Sequence, residues 1–164
     1  MGHSITAIIL KNKFDVDKAK HYDLLPITLD FGLTLFHIDH YYSSFWQYKL
    51  KTSGQLELSN IDSVIFPSEI AIYEILKSIS NFEKLEYAII MTDYFGGTGN
   101  QFANVFIESD NADRKITTIN QALRHLGVIS KNGLDEFVTI GLDKIRTQPD
   151  HLVKYFDLAD EDGV

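Results

Sequence analysis

Apolar and polar residues along this chain keep time to two periods, and the changes between them mark its elements. Ile5–Leu10 is an unbroken apolar run with three Ile, closed by Asn12 and Lys13, which predicts a buried strand. From Asp15 to Leu25, the apolar residues Val16, Ala19, Tyr22 and Leu25 recur every three positions among Asp, Lys and His. That spacing predicts a short amphipathic helix, ended by Pro26 because the residue before a proline avoids helical dihedrals. Leu33–Ile38 reads as a second buried strand. Tyr41, Tyr42, Phe45, Trp46 and Tyr48 follow at helical spacing, as rings packed into a core. Between Lys49 and Asp62 the chain turns polar, with Thr52-Ser53-Gly54 as a turn and Leu56-Glu57-Leu58 as an edge strand.

Pro67-Ser68-Glu69 opens the clearest helical pattern, with Ser68 as N-cap, Glu69 in the first turn, and Ile72, Tyr73, Leu76 and Ile79 as the buried stripe ending near Asn81. Glu86–Thr92 and Gln101–Glu108 are strand-like and are expected to pair antiparallel. Their connection, Asp93 to Asn100, is Gly-rich and long enough to project beyond a hairpin. Ile116 to Leu126 returns to helical spacing, with Gly127 where a helix-ending glycine belongs. Leu134–Ile145 fits strand or helix equally. Asp157–Val164 carries four acids and no base, the composition of a solvated or partly disordered tail. These elements predict one domain over residues 1–164, of the α+β (or α/β) class, with a mostly antiparallel sheet and packed helices.

Composition narrows the function classes. A chain of 164 residues buries enough surface to fold without staples, and with no Cys it has no disulfide or thiolate metal site. Twenty-three acids against 15 Lys and Arg give a net charge of −8, which disfavours nucleic acid and anionic membranes and favours a basic partner. No apolar run approaches the ~20 residues of a membrane span, and no targeting signal is visible, so the expected location is the cytoplasm. Met1-Gly2-His3-Ser4 has the look of an added leader, and His3 is set aside from site arguments on that ground.

Gly96-Gly97-Thr98-Gly99-Asn100-Gln101 invites comparison with phosphate cradles, since glycines let backbone N–H groups approach an anion. The Gly-Lys-Ser/Thr ending of a Walker loop is absent, and Phe102 stands where the dinucleotide fingerprint needs its third glycine. The favoured reading is a protein-binding loop whose backbone donors and rigid aromatics come from Asp93, Tyr94, Phe95, Gly97 and Asn100. A small-molecule or nucleotide-binding enzyme using residues 96–101 is the alternative.

His37-Ile38-Asp39-His40 has ligand-like residues and resembles the tail of the His-x-His-x-Asp-His motif of metallo-β-lactamase-type hydrolases, with Leu35 in place of the first His. The favoured reading is instead a strand end whose His37 and Asp39 share a face and bond each other or the backbone. No serine lies in a Gly-x-Ser-x-Gly elbow, and the carboxylate pairs Asp15/Asp17 and Asp160/Asp162 sit in polar surroundings typical of surface. Neither a catalytic residue nor a metal or other cofactor is expected.

The segment 86–101, with Ile119–Val128, Leu134–Phe137 and Gly141-Leu142, resembles the small acidic immunity proteins that accompany secreted or contact-delivered toxins in bacterial competition. The resemblance spans roughly residues 86–146. It implies neutralisation of a cognate toxin, a basic nuclease for example, by protein–protein contact in the cytoplasm. On that view the Asp93–Asn100 loop is the binding surface, and Asp160 and Asp162 of the acidic tail form a second one.

Overall fold

The computed structural model describes residues 2–59 and 65–164, so residues 60–62 of the polar segment lie outside the described residues. Six strands form one wholly antiparallel sheet in the order β2-β3-β1-β4-β5-β6: Thr6–Leu10 (β1), Pro26–Thr28 (β2), Thr34–His37 (β3), Glu86–Phe95 (β4), Thr98–Ile107 (β5) and Asp110–Asn111 (β6). Among the described residues there are six α-helices: Val16–His21 (α1), His40–Lys49 (α2), Ala71–Ile79 (α3), Ile119–His125 (α4), Glu136–Thr139 (α5) and Lys154–Glu161 (α6). The fold is α+β.

Helices cover both faces of the sheet, which explains the unbroken apolar runs. β1 is central, with Ile8 paired to Phe36 on one side and to Ile89 on the other. Ile8, Leu10, Phe36, Tyr87, Ile89 and Phe106 point into a core roofed by α1, α2, α3 and α6. Their neighbours Ala7, Ile9, Leu35, Ala88, Ile90, Ala103 and Val105 point the other way, under α4 and residues of α5. A strand with no wet face has no reason to alternate.

Several local expectations are corrected. α1 stops at His21, with Asp23 in a left-handed conformation, and Pro26 opens β2, an edge strand that loses nothing by lacking a proline N–H. Ser68 does not cap α3. The helix starts later, its N-cap position is Ile70, and the Ala71 N–H is satisfied by Gln47 Oε1 of α2 at 2.9 Å. Glu69 lies outside the first turn and accepts hydroxyl bonds from Ser43 and Ser44 of α2. Leu56–Leu58 forms no strand; Leu56 is buried, and a single bridge joins Gln55 to Glu69.

The Asp93–Asn100 connection is not a projecting loop but strand almost throughout, closed by Gly96 and Gly97 alone. Leu134–Ile145 resolves to α5 and a 3-10 turn at Leu142–Lys144, with Asp135 as N-cap accepting from the Val138 N–H. Residues 157–161, expected in a solvated or disordered tail, continue α6, which packs on α2 through buried Tyr155 and Ala159. The charged side chains of that helix do face water, apart from the partly covered Asp162.

Candidate functional site

The β4–β5 hairpin owes its shape to glycine. Gly96 and Gly97 both have positive φ, 61° and 80°, as a two-residue type I′ turn requires. Gly99 is there for another reason: a Cβ would lie 1.9 Å from the Asp93 carbonyl oxygen. The glycines therefore serve the turn and the close strand approach.

Pairing also sorts the sequence-selected residues onto two faces. Asp93 opposes Asn100 and Tyr94 opposes Gly99. By the two-residue period Asp93, Phe95 and Asn100 share the face of Met91 and Phe102, whereas Tyr94 shares the face of Ile90 and Thr92. Asp93 and Asn100 are exposed, and the Phe95 ring is 82% exposed at the tip.

On the Tyr94 face, the hairpin, the N-terminal ends of α4 and α5 and the turn at Asp143 line a cleft of about 330 Å³ that Gly97 also borders. The Tyr94 hydroxyl accepts from Gln101 Nε2, and Gln101 Oε1 accepts the Ile119 N–H at the start of α4. Asp135 accepts from Asn120 Nδ2, while Asn120 Oδ1 accepts the Phe137 N–H. Arg146 donates from Nε to the Gly2 carbonyl and from Nη1 to the Asp143 carbonyl. Asp143 Oδ1 is shielded from water and has no hydrogen-bond partner among the described residues.

His3, part of the segment that resembles an added leader, lines this cleft. His3 is buried, and its Nε2 lies 2.8 Å from the Leu142 carbonyl while Nδ1 lies 2.7 Å from Thr92 Oγ1. A carbonyl only accepts, so Nε2 carries the proton, and in the neutral ring Nδ1 accepts from the Thr92 hydroxyl. Thr92 Oγ1 in turn accepts the Ile5 N–H. Thr92 is 2% exposed, so this chain of bonds fastens the segment before β1 to β4 and to the turn at Leu142 rather than presenting a nucleophile. The partners stand 89 and 139 residues from His3, a separation that no local pattern reveals.

The histidine segment is put to structural use. His37 ends β3, is buried, and has Nε2 without a partner among the described residues; burial, then the nearby His151, lower its pKa to about 4. Asp39 does not bond His37. It caps α2 by accepting the Tyr42 N–H at 2.7 Å, and burial raises its pKa despite that bond. His40 opens α2 with its ring against Tyr41. Among the described residues, no three His, Asp or Glu side chains gather to hold a metal.

Asp160 and Asp162 belong to the α2–α6 layer. Asp160 is exposed, and Asp162 Oδ2 lies 3.9 Å from Lys49 Nζ of α2. Nearby, Asp23 joins α6 to the loop after α1 through Lys154 Nζ and the Tyr155 hydroxyl. Burial alone would raise Asp23, but these two bonds outweigh it and its pKa is lowered. No described helix is long and apolar enough to cross a membrane. Compared with protein-family models, curated proteins and solved structures, the chain matches none of them.

Proposed function

We propose that the protein is an immunity-type binding protein, acting in the cytoplasm, that neutralises a basic toxin domain by seating it on the tip of the β4–β5 hairpin. The observation that carries this reading is Phe95, a large aromatic ring 82% exposed at the end of a glycine-closed hairpin. Such a ring loses little conformational entropy on binding and supplies the apolar anchor around which interfaces concentrate their free energy. Beside it Asp93 is exposed, and the chain carries a net charge of −8, which speeds encounter with a basic surface.

The test is protection and affinity. The protein that copurifies with the chain is identified, a sensitive strain expressing the chain is challenged with its toxin domain, and binding of the purified pair is followed at low and high salt. Phe95→Ala should weaken binding about thirtyfold or more, as removal of an aromatic anchor does. Asp93→Lys should chiefly slow association, with the difference shrinking as salt rises. A wild-type chain that neither binds nor protects would overturn the proposal.

A further inference from the structure

The cleft behind the hairpin combines polar and aromatic side chains, and one of its polar groups is left unsatisfied. A shielded carboxylate oxygen without a donor is costly, and Asp143 Oδ1 is such an atom at the wall of a cleft of about 330 Å³. Across the cleft, each oxygen of Asp135 accepts one bond and has a lone pair to spare. Tyr94 and Phe137 supply aromatic wall.

Charge and shape then select the occupant. Two carboxylates face one guanidinium, that of Arg146, already engaged with the Gly2 and Asp143 carbonyls. An anion would add to the excess of negative charge, and an apolar group would leave Asp143 as it is. A long apolar stem ending in N–H donors and positive charge meets both needs, running along the rings and giving charge-assisted bonds at its head.

We infer that the cleft between the β4–β5 hairpin and the N-terminal ends of α4 and α5 receives an arginine or lysine side chain of the protein partner, an inference that rests on the function proposed above. The partner would thus grip the hairpin from both faces, with the Phe95 ring on one and its own basic side chain behind the other. This source is favoured over a free metabolite because the cleft opens beside the exposed hairpin tip of a chain with a net charge of −8.

The test has two arms, both on the full chain. In the first, L-arginine amide, norleucine amide and inorganic phosphate are titrated while NMR follows the rings of His3, Tyr94 and Phe137. Arginine amide should shift these signals and norleucine amide should not, with Asp143→Asn weakening the effect about tenfold, as loss of a charge-assisted bond would. No shift by about 50 mM, where millimolar sites fill, or a shift caused by phosphate instead, would overturn the inference. In the second, the toxin domain is bound to Asp143→Asn and Tyr94→Phe. Affinity unchanged by both but lost in Phe95→Ala would overturn the cleft inference and leave the proposed function standing. A cleft that binds arginine amide on a chain that ignores the toxin domain would sink the proposed function, and the partner assigned to the cleft with it.

Discussion

The two faces of the sheet solve the same packing problem with different side chains. Under α2, α3 and α6 the core is built from large rings, with Tyr42, Tyr87, Tyr155, Phe36 and Phe106 fully buried. Two of the hydroxyls reach acceptors, Tyr42 to the Tyr22 carbonyl and Tyr155 to Asp23. Under α4 and α5 the core is thin, made of Ala7, Ala88, Ala103 and Ala122 with Ile, Leu and Val. Small side chains let short helices lie close to the strands, but α4 and α5, of seven and four residues, stop short of roofing the far end of the hairpin. The difference teaches why the cleft opens on the aliphatic face: bulk closes one layer, and polar caps at helix starts line the opening in the other.

The largest expected effect breaks the ring-built face. Phe106→Ala should cost about 3–5 kcal/mol in denaturant unfolding, against about 2–5 for Leu123→Ala on the thin face, where collapse onto small neighbours absorbs more of the cavity. Equal losses at the two sites would remove the contrast. Gly99→Ala should come next, because its Cβ has no room beside Asp93; a cost of about 1–3 kcal/mol is expected, with amide exchange rising at the tip first.

Acid should separate the faces further. His37, paired with Ala7, falls on the aliphatic face by the two-residue period and has its pKa lowered from 6.5 to about 4, so between those values the unfolded chain takes up a proton that the folded one refuses. Stability from this group is present above pH 6.5 and is lost as pH falls toward 4, by up to about 3 kcal/mol. Replacing His37 by Phe should flatten that part of the stability–pH curve. An unchanged slope would show that the titration belongs elsewhere.

Of the same order is the bond chain under the cleft. Thr92→Val removes an acceptor from the Ile5 N–H and a donor from His3, and should cost about 1–3 kcal/mol with faster exchange at the Ile5 amide. Smallest of all is Phe95→Ala, which removes an 82% exposed ring and should alter stability by no more than about 0.5 kcal/mol while it weakens partner binding. A large stability loss there would mean that the tip is held by packing and is not a free anchor.

Much of this architecture could be read along the chain. The runs at Ile5–Leu10 and Glu86–Thr92, the ring spacing from Tyr41 to Tyr48 and the helix-ending Gly127 act within a few residues, so period and backbone chemistry show through. The boundaries that were misread depend on partners brought from elsewhere. Ser68 has the chemistry of an N-cap, yet Gln47 on another helix takes that task; the acids after Asp157 look solvated, yet Tyr155 and Ala159 anchor their helix. His3 is the extreme case, since its ring acquires meaning only when Thr92 and Leu142 fold around it. Local pattern determined most of the strands and helices, though not α5 or the absence of a strand at Leu56–Leu58, because backbone geometry repeats over two or 3.6 residues. Which side chains finish those elements, and where a cleft stays open, is decided by distant segments meeting, and only tertiary packing sets their distances.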